Sequence, residues 1–354
     1  MVTSRDVAVA AGVSQATVSR AFSGAGGVSE QARARVFAAA EELGYEINFA
    51  ARAMRTQRSG TIGVVVDRLT NPFYPQLIES FSRTLDDKDL RMILWDSLGA
   101  GEKGAIEAIG HMMVDGLIFT TATSTSSTLT TALAAGAPVV LVNRIVEGVL
   151  CDQVDTDNVG MSARVAQYFA ASGRTRAGLI TGLDDASTAR DRREGFLKGV
   201  ASHDVDVPQD FVVDGGFSHQ GGYEALQRMF ERPDPPSAVF CTNDLSAFGA
   251  VDAARALNIR VPDDLWIVGY DDVDMAAWAS YNLTTVRQPI DDMAKVAVQL
   301  LLERLDNPNK PSTHHRFTSE LVVRGSTGHV PFVDTTQRTP PRRPRRSGNY
   351  RSGR

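Results

Sequence analysis

The sequence predicts an α/β chain. A small three-helix head of helix-turn-helix type precedes a larger core of two parallel-sheet lobes. Three observations lead there. The first sixty residues carry helix-capping signals and no strand-like run. From residue 61 to about 330, apolar β-rich runs alternate with helical segments. Formal charge is also segregated along the chain, which its average of −5 conceals.

The head is read from its caps. Thr3 and Asp6 form a capping box for a first helix whose apolar face is Val7, Ala10 and Ala11. Gly12 permits a tight reversal, and Ser14 caps a second helix from Gln15 to Phe22 with Val18 and Phe22 inward. Ser29 caps a third helix through Leu43, with Val36, Ala40 and Leu43 inward and Gly44 as its stop. Two short helices joined by a glycine turn, with a third in support, make a helix-turn-helix module. Gln15, Ala16 and Arg20 then lie on the face that an incoming major groove would meet. Glutamine pairs bidentately with adenine and arginine with guanine. Ser14, Thr17 and Ser19 carry short hydroxyls suited to phosphate oxygens. A plain three-helix bundle with solvated polar residues is the alternative from this stretch alone.

Charge fits such a division. Residues 1–58 hold seven arginines against five acids, and residues 338–354 hold seven arginines and no acid. The segment between therefore carries −14, so contact with nucleic acid is expected from the ends.

In the core, Ile62–Val66, Met92–Trp95, Gly116–Thr120, Val139–Val142, Gly178–Thr181, Ala238–Thr242 and Trp266–Tyr270 read as buried strands. They form two sets, divided near Thr156. Two facing α/β lobes leave a cleft at the carboxyl ends of their strands, where ligands bind. Asn243 and Asp271 end two of these strands, and Arg192 lies in an arginine cluster. A carboxylate, an amide and a guanidinium together hold a polyhydroxyl ligand, because hydroxyls both donate and accept. Asp271 as a cap for the next segment is the structural alternative.

Other classes find little support. Cys151 and Cys241 cannot build a disulfide framework and fit a reducing cytoplasm. No Cys/His grouping has zinc spacing, and the phosphate-binding, metalloprotease and nucleophile-elbow motifs are missing. No metal, cofactor or catalytic set is therefore expected. No segment reads as a signal peptide or membrane span.

The residues Val2-Thr3-Ser4-Arg5-Asp6-Val7-Ala8 and Ala11-Gly12-Val13-Ser14-Gln15-Ala16-Thr17-Val18-Ser19-Arg20 closely resemble the opening of the lactose/galactose repressor (LacI/GalR) family. So do Val28-Ser29, Leu43-Gly44-Tyr45 and Asn48 with Ala51-Arg52-Ala53. The likeness continues through Thr70–Tyr74, Val114–Ile118, Pro138–Arg144, Ser187–Arg190, Asn243-Asp244, Val268–Asp272 and Leu283–Pro289. It covers about 325 of the 354 residues.

The resemblance implies a periplasmic-binding-protein-like core in which the chain crosses between lobes three times. It implies a head over residues 1–46, a hinge helix and linker over 47–60 and an effector-binding and dimerisation unit over 61–330. Residues 331–354 are left as a disordered basic tail. The hinge helix would fold on DNA and place Asn48, Ala51 and Met54 at the operator. Met54 would wedge into the minor groove where the family usually carries leucine. Phe73, Asn143, Arg192, Phe217, Asn243, Asp271 and Gln288 match effector-contacting positions, with Trp95 and Trp278 as weaker additions. Asn143 stands where several sugar-responsive relatives carry aspartate, so effector identity cannot be copied from them.

The expected protein is a ligand-responsive transcriptional regulator, a repressor by analogy. Its expected partners are double-stranded operator DNA, a sugar-like effector and a second copy of itself, or a higher oligomer built from that dimer. Its place would be the cytoplasm, at the nucleoid. The core alone also fits a transporter's solute-binding protein or an α/β enzyme using Asp271 and Arg192.

Overall fold

The computed structural model describes residues 2–23, 27–45, 58–96, 100–111 and 113–328. Asn48, Ala51 and Met54, expected at the hinge, and the basic tail lie outside them.

In the head, α1 (Ser4–Ala11), α2 (Gln15–Ser23) and α3 (Glu30–Leu43) follow the caps. Thr3 accepts from the Asp6 amide while the Asp6 carboxylate takes the Thr3 amide at 2.8 Å. Gly12 sits in the left-handed region at φ 63°, which ends α1 and redirects the chain into α2. Ser14 Oγ accepts from the Thr17 amide at 3.1 Å, and Ser29 caps α3 through the Ala32 amide. The small core is Val7, Ala8, Ala11, Val18, Ala21, Val36, Ala39 and Ala40. Two helical-period readings need correction: Ala10 is exposed with Ala8 buried in its place, and Leu43 is 37% exposed. At Leu43 the head is too small to cover the last turn of α3; Phe22 instead packs on Phe37 and Tyr45.

The core holds two six-stranded sheets. The first comprises β1 (Thr61–Val66), β2 (Arg91–Asp96), β3 (Gly116–Phe119), β4 (Val139–Val142), β5 (Asp152–Thr156) and β11 (His314–Phe317), in spatial order β11-β5-β4-β3-β1-β2. The second comprises β6 (Ala177–Thr181), β7 (Val212–Asp214), β8 (Ala238–Cys241), β9 (Trp266–Asp271), β10 (Thr284–Arg287) and β12 (Glu320–Val322), in order β12-β10-β9-β8-β6-β7. All pairs are parallel except β10 with β12. Strands β1, β3, β4, β6, β8 and β9 are buried along their whole length, which is why they read as unbroken apolar runs.

Helices cover both sheets. The first carries α4 (Phe73–Asp86), α5 (Ala100–Gly110) and α6 (Ser127–Ala134). The second carries α7 (Asn158–Ala171), α8 (Ser187–Ser202), α9 (His219–Phe230) and α10 (Asp244–Ala256). Late in the chain, α11 (Ile290–Asp306) returns to the first lobe and packs on α4, β4 and β5. The chain thus crosses between lobes after β5, after β10 and between β11 and β12. Helix pairs in the second lobe pack backbone to backbone. A Cβ at Gly195 would meet the Val159 carbonyl of α7, and one at Gly249 the His219 carbonyl of α9.

Candidate effector cleft and DNA-reading face

On the head, Ser14, Gln15, Ala16 and Arg20 are exposed, while Thr17 and Ser19 are half-buried. Val18 and Ala21 turn inward and hold α2 on the bundle, so its opposite face stays outward. The Gln15 side-chain amide donates to Ser4 Oγ at 2.8 Å, and Arg20 Nε donates to the Ala16 carbonyl at 3.3 Å. Ser14 Oγ and Thr17 Oγ1 share a hydrogen bond at 2.9 Å. The side chains that the sequence suggests for DNA contact thus lie along one outward edge, tied by local hydrogen bonds.

In the core, the topology brings Phe73, Asn143, Arg192, Phe217, Asn243 and Asp271 around one chamber between the lobes, with Asn71, Tyr74 and Thr188 completing it. Their places follow from strand ends. Asn143 follows β4, Asp271 ends β9, and Asn243 follows β8 and caps α10 by accepting from the Ser246 amide at 3.1 Å. Phe73 begins α4, its amide held by Asn71 Oδ1 at 3.2 Å.

Arg192 is 2% exposed and organises the chamber's second-lobe side. Its Nε donates to Asn158 Oδ1 at 2.8 Å, and its Nη1 to the Thr242 carbonyl at 2.7 Å and Asp271 Oδ1 at 3.3 Å. Its guanidinium lies over the Tyr270 ring, 3.6 Å from the centroid. Gln288 stands behind Asp271 rather than on the chamber wall and donates to Asp271 Oδ1 at 2.8 Å.

Burial pushes the Asp271 carboxyl up to about 6, against the pull of Arg192 and the Gln288 hydrogen bond. Burial, then the charge of Asp271, holds neighbouring Asp244 well above the carboxylate range. Asn243 Nδ2 is buried and has no hydrogen-bond partner among the described residues. A buried polar group without a partner is costly, and a ligand acceptor would satisfy it.

Backbone strain gathers at the same place. Asn143, Phe217 and Asp271 have φ of 71°, 53° and 125°, which L-residues rarely adopt. The Phe217 ring fills the space over Gly182, where a Cβ would collide with it. The chamber measures about 10 Å³, room for about one water. Hydrogen bonds reach across between the lobes here, from Arg68 Nη1 to the Gly216 carbonyl at 3.2 Å and from the Ile145 amide to Ser187 Oγ at 3.0 Å.

Neither suggested tryptophan joins the chamber. Trp95 packs over Gly63 and Gly104 on its own lobe, and Trp278 is 53% exposed away from the cleft. Among the described residues there is no His, Cys, Asp or Glu grouping able to hold a metal ion. No helix among them is long and apolar enough to cross a membrane.

Residues 3–48 match the model for bacterial regulatory proteins of the lacI family, and residues 166–327 match that for a periplasmic binding protein-like domain. The chain is 31% identical over 330 residues to the HTH-type transcriptional repressor PurR of Photobacterium profundum, covering 92% of this chain and 98% of that one.

This chain belongs to the LacI family.

A second family member, the ribose operon repressor of Escherichia coli (strain K12), is also 31% identical, over 92% of this chain and 100% of its own. Among solved structures, the lac repressor dimer bound to operator and the anti-inducer ONPF superposes with a TM-score of 0.78 at 25% identity, covering 92% of this chain and 99% of that one. The transcriptional regulator CelR in complex with cellobiose superposes with a TM-score of 0.71 at 27% identity, over 92% and 100%. As a LacI-family protein the chain is a DNA-binding transcriptional regulator and not an enzyme. It acts in the cytoplasm.

Proposed function

We propose that this LacI-family protein is a dimeric repressor that releases or grips a pseudo-palindromic operator according to a sugar-like effector held between its lobes. Residues 1–46 read the major groove, 47–60 couple head to core, and 61–330 bind effector and dimerise; the protein works at the nucleoid. Two heads related by a two-fold axis require two half-sites related by the same axis.

The observation that carries the reading is the chamber's donor and acceptor set. Arg192, Asp271 and Asn243 converge there, buried, and Asn243 Nδ2 awaits an acceptor. Such a mixture suits hydroxyls, and the rings of Phe73, Tyr74 and Phe217 offer apolar faces to the carbons of a sugar ring. The chamber's present size means that the lobes part for entry and close on the ligand. Asn48, Ala51 and Met54 bind DNA in this reading, with Met54 as the minor-groove wedge.

The test is selection of bound DNA from a random pool, followed by titration of the selected site with and without a sugar panel. A two-fold symmetric site and a sugar that shifts its affinity at least about fivefold are expected, matching the usual coupling of about 1–3 kcal/mol. An asymmetric site, or no shift with any sugar, overturns the reading.

A further inference from the structure

Immediately outside the chamber lies a second compartment between the lobes, with a volume of about 620 Å³. That falls within the range of about 300–1,000 Å³ typical of small-molecule sites. The two spaces adjoin on one strand end, since Asn143 lines the inner and Arg144 the outer. Unlike the inner chamber, the outer one has room for a small molecule with the lobes in their present position.

Its floor is unusual. Arg144 is 3% exposed, yet it has no carboxylate within ion-pair distance among the described residues. Its Nη1 donates to the Thr121 carbonyl at 3.2 Å, while its Nε is buried and has no partner among the described residues. On the same wall, Asp67 Oδ1 is a buried acceptor that also has no partner among them. A stranded donor and a stranded acceptor therefore line one space. Between Thr121 and Thr128, six hydroxyl side chains line the first-lobe wall, a run that the inner chamber leaves unused.

Charge narrows what can enter. The walls carry the carboxylates of Asp67, Asp184, Asp185 and Asp214 against the guanidiniums of Arg68 and Arg144. The balance is −2, with no lysine or histidine lining either space. A phosphate or carboxylate group would meet Arg144 only by passing this acidic rim. A hydroxyl-bearing ring meets no such barrier, because one hydroxyl gives its proton to Asp67 and another oxygen accepts from Arg144.

We propose that the outer compartment seats a second, neutral, hydroxyl-rich ring, so that the effector is a neutral disaccharide or comparable glycoside spanning both spaces. This rests on the reading that the inner chamber takes a sugar. Arg144 and Asp67 fix the outer ring, and the threonine- and serine-rich wall follows its edge.

Calorimetric titration of the full-length protein tests it. The probes are glucose, galactose and ribose; the disaccharides cellobiose, maltose and lactose; and glucose 6-phosphate and glucuronate. At least one disaccharide is expected to bind about tenfold or more tighter than its constituent monosaccharides, equivalent to about 1.4 kcal/mol. The two anionic sugars are expected to bind more weakly than glucose. Arg144→Gln should bring the ratio of disaccharide to monosaccharide affinity close to one. Because Arg144 is buried, Thr125→Trp provides a second variant; it fills the compartment from an exposed position and should collapse the same ratio. Monosaccharides that bind as tightly as every disaccharide, a preference for an anionic sugar, or a ratio untouched in Thr125→Trp would each overturn the proposal while leaving a sugar effector standing. Binding of none of the eight overturns both.

Discussion

Gln288 hydrogen-bonds to Asp271 at 2.8 Å through its Nε2, while its Oε1 accepts from Thr156 Oγ1 at 3.1 Å. Thr156 ends β5 in the first lobe, and Asp271 ends β9 in the second. One 4% exposed amide thus joins the lobes at a crossover and also fixes the chamber's carboxylate.

Gln288→Leu removes both bonds and keeps similar bulk. It leaves a buried Thr156 hydroxyl short of a partner and Asp271 held from one side only. A loss of about 1–3 kcal/mol of stability is expected. Effector response should weaken as well, since Asp271 loses its fixed position. Denaturant unfolding alongside sugar titration measures the two effects. Unchanged sugar affinity in a destabilised variant would reduce Gln288 to a structural role.

The buried acids make stability depend on pH in a defined direction. Asp271 titrates at about 6 in the fold, above its ordinary value of 3.8. A raised pKa means that the fold favours the protonated acid. That contribution is complete below about pH 4 and is lost as pH rises through about 6. Asp244 shifts in the same direction. Asp271→Asn cannot ionise, so its melting temperature should gain on the parent's between pH 4 and 7, by on the order of 5 °C. Thermal unfolding at constant ionic strength checks this; a difference that does not vary with pH would refute it.

The contrast between what the sequence discloses and what it withholds follows from the range of the interactions. The head's caps act over three residues, so Thr3 with Asp6, Ser14 with Thr17 and Ser29 with Ala32 are all readable locally. Strands buried on both faces announce themselves as apolar runs. By contrast β5 and β11 are polar at several positions and β12 is only three residues long, and β11 and β12 become strands through partners far along the chain or in another segment. In the cleft, Phe73, Asn143, Asn243 and Asp271 lie within the family motifs, while Arg192 and Phe217 match the family at positions outside them. Tyr74 and Thr188 lie within those motifs without a signal that sets them apart from their neighbours. The outer compartment is not readable at all, because Asp67, Arg144 and Asp185 come from three separated segments on two lobes.

On the head, Arg20 and Gln15 make separable predictions. Both are exposed on α2, and Gln15 is tied to α1 through Ser4. Arg20→Ala should cost about 1–3 kcal/mol of operator affinity and relax preference at one base pair in each half-site. Equal loss on random DNA would instead assign Arg20 to the phosphate backbone. Gln15→Ala should likewise relax one position, at a different base pair. Binding selections repeated with each variant distinguish the two.

Helix α11 starts two residues after Gln288 and runs 17 residues to Asp306. There Arg58 Nη2 donates to the Leu305 carbonyl and to Asp306 Oδ1, each at 2.9 Å. Next to it, Asp115 accepts from the Ser59 amide at 2.6 Å, the Ser59 hydroxyl at 2.9 Å and the Gly60 amide at 2.9 Å. The Arg58–Asp306 pair is exposed and worth little by itself. Asp115 is half-buried with three donors, so it governs how firmly the linker's end follows the first lobe. Asp115→Ala frees that end. Sugar binding should then continue, because the cleft is untouched, while the effector-induced change in operator affinity shrinks severalfold. The coupling available is about 1–3 kcal/mol, and a linker that no longer tracks the lobe can transmit only part of it. Operator titrations with and without a bound sugar, in parent and variant, measure the ratio directly. If that ratio is preserved, lobe motion reaches the hinge by another route and Asp115 serves only to close the linker against β1.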